Sequence, residues 1–293
     1  MSYIKLKAPA KINLFLDVMG KRDDGYHDLC SVMQTVGIFD TVTVELSHGG
    51  GNIDVLCDGG VPSGRENIAY AAAEKFLEKA GRRDVDVKIV IEKTIPFCAG
   101  LGGGSSDAAT VIIALNRLMK TSFDTAALCD IGARVGADVP FLIKRGTCVV
   151  GGIGDIIRSC TPMPECAVVV AVPVCEKIST AEVYSKIDAI SAKGSADEML
   201  SALSECSLSK MGKAAFNKFE YILPETSGVF EIKRALSSLG ANAVLMSGSG
   251  PAVFGLFDDV KRAKEAAMSL SEGAETFICR PTRRDDFILD ESE

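Results

Sequence analysis

Histidine is nearly missing from this chain of 293 residues, which holds only His27 and His48. Two imidazoles leave little room for a serine–histidine–acid triad, and no G-x-S-x-G nucleophile elbow occurs. Ten cysteines are present, yet none stand in a C-x-x-C pair, the nearest neighbours being Cys160 and Cys166. Structural zinc draws its ligands from such tight pairs, so no zinc site is expected. No secretory leader precedes the first motif, and the thiols read as small buried hydrophobes in a reducing cytoplasm. No apolar run approaches the roughly 18 residues that a bilayer span needs, so no membrane partner is expected. Positive charge is in deficit, the formal net charge being −7. A nucleic-acid partner, which demands a basic face, is therefore not expected, although a few local donors suffice for a single nucleotide. No 20–50-residue repeat and no low-complexity segment are found.

What is there is an ordinary folded composition, 47% hydrophobic and 24% charged, at a length that suits two domains. Residues 3–18 read as two strands around a proline break, and 40–58 as a hairpin across a polar, glycine-rich connection. Residues 65–81 predict a helix stopped by Gly81, 84–93 a strand, and 105–119 a helix. The stretch 125–143 predicts a short helix ending before a strand, with Pro140 at the change. From about residue 155 the texture shifts. A strand is expected at 166–174, then charge-rich helical sequence over 180–237 interrupted by Pro224 and Gly228. The apolar run 242–257, a helix over 259–271 and a last strand near 275–280 follow. The whole predicts an α+β protein with domains 1–158 and 159–293.

The chemistry-bearing stretch is IPFCAGLGGGSSDAATVIIAL, residues 95–115. Gly100, Gly102, Gly103 and Gly104 free the backbone around Leu101 to turn several N–H groups toward one point. A helix beginning near Ser105 adds its positive end, and Ser105 and Ser106 can donate or cap. Phosphate suits such a cradle. The alternative is a glycine-rich turn with a serine cap, but a cap needs one glycine and four cluster here. No lysine follows, which excludes a Walker A loop. The dinucleotide fingerprint fails at its third glycine position, occupied by Ser105, and the approach from Ile91 is long and contains Pro96.

PFCAGLGGGSSDAA resembles the ATP-binding motif of the kinase superfamily that includes galactokinase, homoserine kinase and mevalonate kinase. PAKINLFLDV (9–18) and MSGSGPAVFGLF (246–257) stand in the order of that superfamily's other motifs. GKRDDGYHDLCSVMQTV (20–36), GADVPF (136–141) and FNKFE (216–220) are similar to its branch acting on cytidine-diphosphate-linked methylerythritol, in the non-mevalonate isoprenoid route. The resemblance implies a two-domain small-molecule kinase with its active site in the inter-domain cleft, ATP and Mg²⁺ as cofactors, and that alcohol as partner.

On the resemblance, Gly100 to Ser106 hold the phosphates, Asp138 is the base for the 2-hydroxyl, and Lys11 sits beside it. Asn13 falls on the substrate side, Tyr26, His27, Thr180 and Tyr184 form the cytidine pocket, and Asn67 and Lys93 line the adenine site. No metal ligand is assigned, and the oligomeric state stays open. Without the resemblance, Asp138 reads as a turn or capping residue, Lys11 as a solvated strand lysine, and Tyr26 and His27 as a packed turn. SGSGP (247–251) reads either as a turn between strands or, by resemblance, as a loop facing the site. Cys98 stands where the family commonly has glycine or alanine, which exposes the loop to alkylation. The main alternative is a kinase of the same superfamily for a sugar, homoserine or mevalonate derivative, which has no reason to carry Gly-Tyr-His at 25–27. A non-catalytic sensor on this fold is expected to have lost Asp138 or Lys11, and both are present.

Overall fold

A computed structural model describes residues 2–174, 180–283 and 288–292. Strands β1 (Ser2–Lys21) and β2 (His27–His48) pair antiparallel along nearly their whole length. The proline break expected inside β1 is absorbed as a bulge: Pro9 opposes Phe39 and the ladder resumes with Ala10 against Val36. In its outer half β1 alternates, with Ile4 and Leu6 turned inward, whereas residues 8–18 are buried on both faces. This segment threads between the two halves of the molecule and contributes to each of three apolar clusters.

Strand β3 (Ile53–Cys57) does not return along β2. Helix α1 (Ile68–Ala80) carries the chain to β4 (Val85–Glu92), which lies between them, antiparallel to β2 and parallel to β3. The expected hairpin over 40–58 is therefore corrected. Val85, Val87, Ile89 and Ile91 of β4 are buried but only Val55 of β3 is, so the more apolar strand takes the interior place and the polar one the edge.

Helices α2 (Gly103–Leu118), α3 (Thr125–Ala133) and α4 (Val139–Lys144) cover this sheet. The change at Pro140 is to a second helix rather than a strand. Proline sits in the first turn of α4, where its missing N–H has no intrahelical acceptor to lose. Strand β5 (Thr147–Gly151) pairs with β2 and with β6 (Ile156–Ser159).

The chain then crosses to β7 (Ala167–Pro173). Val168, Val169 and Val170 there are fully buried, each contributing about 1.5–3 kcal/mol of transfer free energy. Helices α5 (Thr180–Ile187), α6 (Ala196–Ser204) and α7 (Leu208–Ala214) lead to the short β8 (Phe216–Asn217) and a 3₁₀ turn over Lys218–Ile222. Gly228 opens α8 (Gly228–Ser238) rather than interrupting a helix. Strands β9 (Ala243–Met246) and β10 (Val253–Phe257), helix α9 (Val260–Leu270) and β11 (Ala274–Cys279) follow, forming a second antiparallel sheet ordered β11-β7-β10-β9. Strand β12 (Ile288–Ser292), not expected from sequence, returns to pair with β1 in the first sheet. No helix among the described residues is long and apolar enough to cross a membrane.

Candidate active site

Helix α2 begins at Gly103, two residues before its expected start, and no side chain caps it. Its N-cap, Gly102, is left-handed at φ 71°, and a Cβ there would lie 2.9 Å from Cγ of Lys11. Gly100 is left-handed at φ 83°, and its Cβ would lie 2.1 Å from the backbone oxygen of Ser247. Both positions exclude a side chain. Ser106 N–H already donates to Gly102 O, so the amides of Gly103, Gly104 and Ser105 stand at the positive end of a 16-residue helix without intrahelical acceptors. The Ser106 hydroxyl is engaged with Pro9 O at 2.7 Å, which leaves Ser105 as the serine at the mouth. Leu101 is buried, and its carbonyl accepts Lys11 N–H at 2.9 Å, stitching the loop to β1.

Lys11 is 3% exposed, so it is not a solvated strand lysine. Its ammonium donates to Asn13 Oδ1 at 2.7 Å and lies 3.9 Å from Asp138 Oδ2. A buried ammonium requires such partners. Asn13 Oδ1 also accepts Gly248 N–H at 3.0 Å, and Asn13 Nδ2 donates to Ser31 Oγ at 2.9 Å. Asp138 occupies the N-cap position of α4, yet its side chain caps nothing; it faces Lys11 and remains 33% exposed. SGSGP is indeed the turn between β9 and β10, and it also walls the glycine loop. Ser247 Oγ donates to Gly100 O at 2.9 Å, and Ala252 N–H to Ala99 O at 3.0 Å.

His27 Nε2 lies 3.0 Å from Asp188 Oδ1, and its ring centroid is 5.3 Å from that of Tyr184. Tyr184 meets Phe219 edge-on at 5.1 Å. Burial pushes the Tyr184 phenol up to about 12, and the negative charge of Asp138 adds to the effect, which links the aromatic cluster to the carboxylate. Tyr26 is the opposite case, 62% exposed. The expected packed turn thus holds for His27 alone. Thr180 opens α5, and its side chain lies outside the described residues.

Asn67 and Lys93 are engaged within the protein. The Asn67 carboxamide caps α1, accepting from Ala69 N–H at 2.9 Å and donating to Pro62 O at 2.8 Å. The buried Lys93 ammonium donates to Asp107 Oδ2 at 2.7 Å and to Asp40 Oδ2. Asp40 Oδ1 in turn accepts Thr94 N–H and Ile95 N–H. One ammonium between two carboxylates leaves Asp107 Oδ1 buried without a hydrogen-bond partner. Burial pushes the Asp107 carboxyl up to about 8, Lys93 opposing and the Asp40 charge adding. Stability from this raised group is complete below its unfolded value of about 3.9 and is lost as pH rises through about 8. Asp107→Asn is therefore expected to gain thermal stability relative to the wild type between pH 6 and pH 9. A difference in Tm that is the same at both pH values removes this role from Asp107.

With the geometry established, known proteins are informative. The model for the GHMP kinases N terminal domain matches residues 67–146, and that for the GHMP kinases C terminal domain matches residues 192–275. A 4-diphosphocytidyl-2-C-methyl-D-erythritol kinase of Acetivibrio thermocellus is 43% identical over 267 residues, 90% of this chain and 93% of that protein. The chain belongs to the GHMP kinase family. As a GHMP kinase it is an ATP-dependent small-molecule kinase of α+β fold. The crystal structure of a 4-(cytidine 5'-diphospho)-2C-methyl-D-erythritol kinase superposes with a TM-score of 0.78 at 32% identity, covering 96% of this chain and all of that one. Homoserine kinase from Cytophaga hutchinsonii gives 0.74 at 18% identity, over 96% of this chain and 94% of that one, and shows the fold alone.

Several residues that these hydrogen-bond networks join were not singled out from the sequence. Asp107 follows the serines at helical spacing from Gly103, a signal that was legible but ambiguous with a solvated helix face. Asp40 and Asp188 reach their partners 53 and 161 positions away, and nothing local marks them. Ser31 and Asn217 stand inside the stretches 20–36 and 216–220 quoted above, but their partners 18 and 29 positions away are not written there.

Proposed function

We propose that this protein transfers the γ-phosphoryl group of ATP to the 2-hydroxyl of 4-diphosphocytidyl-2-C-methyl-D-erythritol, giving the 2-phosphate and ADP on the non-mevalonate route to isoprenoid precursors. The observation that carries the proposal is Asp138: a carboxylate at a helix N-cap that caps nothing and instead faces a buried lysine beside the glycine cradle. Relatives named for this kinase, at high coverage, favour it over another alcohol kinase of the superfamily.

The free amides of Gly103, Gly104 and Ser105 receive the phosphates. A carboxylate is a weak base toward an alcohol, so the hydroxyl proton passes to Asp138 late, as the phosphoryl group arrives. Lys11 lowers the negative charge around the nucleophile. Asn13 holds that lysine in place. Tyr26 offers a stacking face for cytosine, and the His27–Tyr184 cluster bounds the same pocket.

Mg²⁺, a hard cation that takes oxygen ligands, would suit the oxygen donors of this mouth. No group of three or more His, Cys, Asp or Glu side chains among the described residues is placed to cage a metal. Ser105, at the mouth, is the side chain that would complete its shell, and the ion would neutralise charge on the transferring group.

Incubation of the purified protein with Mg-ATP and the cytidyl methylerythritol, followed by ³¹P NMR, is expected to show ADP and a new phosphomonoester. Turnover of homoserine or mevalonate in its place would select the alternative. Tyr26→Ala is expected to weaken cytidine diphosphate binding by about 1–3 kcal/mol in calorimetry, the value of a stacked base. Unchanged affinity would leave Tyr26 outside the pocket.

A further inference from the structure

We propose that Asn217, in the second half of the chain, is a positioning residue for Lys11. This rests on the kinase function above and adds a residue to it. FNKFE, which the phosphoryl-transfer site does not otherwise use, lies where the two halves meet. Phe216 and Asn217 form β8, paired in parallel with Phe15 and Leu16 of β1. The Asn217 carboxamide, 1% exposed, donates to two carbonyls, Met246 O and Gly248 O, each at 2.8 Å. Its Oδ1 accepts Phe219 N–H at 3.0 Å. Both N–H donors and the oxygen are used, so the amide has a single satisfied orientation.

The two carbonyls flank Ser247 in the turn between β9 and β10. Gly248 N–H then donates to Asn13 Oδ1, the atom that also receives the Lys11 ammonium. Gly248 is left-handed at φ 56°, and a Cβ there would lie 3.1 Å from Lys11 Nζ. The Gly248 N–H, carried between the two carbonyls that Asn217 anchors, thus helps set where Asn13 Oδ1 sits, and with it the ammonium 3.9 Å from Asp138. The neighbours of Asn217 brace both ends of the link. Glu220 Oε1 accepts Met246 N–H at 2.8 Å, while Lys218 pairs with Asp17 Oδ1 at 3.3 Å and donates to Val18 O at 2.7 Å. The chain Asn217–Gly248–Asn13–Lys11 is buried throughout, so solvent does not replace a lost member and displacement passes to the ammonium.

A purely structural asparagine would lower stability and leave the reacting groups where they are. The test compares the wild type with Asn217→Asp, which keeps the acceptor for Phe219 but sets a carboxylate against two carbonyls, and with Asn217→Ser, a milder change that tolerates a folding defect in the first. Asn116→Ala serves as control, because it also removes three hydrogen bonds, between the last turn of α2 and Thr121 and Phe123, at the end of the helix away from the site. Tm, kcat, both KM values and the ¹³Cε resonance of Lys11 in lysine-labelled protein are measured. For the Asn217 variants kcat is expected to fall on the order of 10- to 100-fold with each KM within about threefold, as displacement of a reacting group does. The Lys11 resonance is expected to move, whereas Asn116→Ala loses Tm but keeps both kcat and the resonance. Adding Asn217→Ser to Asn13→Ala is expected to cost no further kcat, since both act through one atom. An unmoved Lys11 resonance, or a full multiplicative loss in the double variant, overturns the proposal. If the wild type leaves the cytidyl alcohol unphosphorylated, the assigned substrate falls separately, and the Lys11 resonance still decides the role of Asn217.

Discussion

Asp138→Asn is expected to lower kcat by about 10³-fold, within the 10²–10⁴ range of general-base removal, while ATP affinity stays within about twofold. The amide matches the carboxylate in size, and Asp138 forms no cap that the change could break. Lys11 keeps its bond to Asn13, so the buried ammonium is not stranded. The lost 3.9 Å ion pair involves a side chain one-third exposed, and solvent screening keeps its contribution to stability small. On the proposed mechanism, what disappears is the acceptor for the alcohol proton, while the amides of the α2 terminus that would hold the nucleotide are untouched. Steady-state kinetics with calorimetry of a non-hydrolysable ATP analogue separates the two effects. Full turnover in the variant would take Asp138 out of the mechanism, and an equal loss of nucleotide affinity would place it in the phosphate cradle.

Gly100→Ala is expected to cost on the order of 3 kcal/mol of stability or more, combining a strained backbone with an overlap that cannot relax. At φ 83° an alanine is already disfavoured, and its Cβ would meet Ser247 O at 2.1 Å, Gly250 N at 3.1 Å and Gly250 O at 3.2 Å. All three are backbone atoms of the turn between β9 and β10. Relief requires that turn to move away from the glycine loop, breaking the bonds from Ser247 Oγ to Gly100 O and from Ala252 N–H to Ala99 O. Nucleotide binding should weaken together with Tm. Gly60→Ala is the matched control: at φ 74° it shares the disfavoured conformation, but its Cβ would meet nothing within 4 Å, so only about 1 kcal/mol of backbone strain is expected. Equal destabilisation of the two variants in thermal unfolding would show that contact with Ser247 is not what Gly100 protects.

Local chemistry was legible in the sequence wherever one segment sufficed. The glycine cluster announced the turn into α2, although Gly103 and Gly104 fall inside the helix; Gly81 stopped α1 where expected, and alternation marked β4. Pairing was not legible. Residues 40–48 and 53–57 both alternate and sit one turn apart, but alternation does not say whether a strand returns to its neighbour or waits for the next one, and β4 took the place between them. Pro140 was ambiguous for a related reason, since proline ends one element and opens another equally well. In the site, Lys11 and Asn13 share one strand face by their spacing, yet the burial of Lys11 comes from β1 running between two cores. Tyr26 and His27 are adjacent in sequence and opposite in environment, because Asp188 and Tyr184 reach only the second of them.

Strand β12 pairs with β1 from Tyr3 to Leu6, at the opposite end of the polypeptide. During synthesis on a ribosome, that edge of β1 is laid down more than 280 residues before its partner. Until β12 follows, its N–H and C=O groups stand open to pairing with another nascent chain on the same messenger. Lys5 and Lys7, which alternate with apolar Ile4 and Leu6 along this edge, place charge where such mispairing would begin.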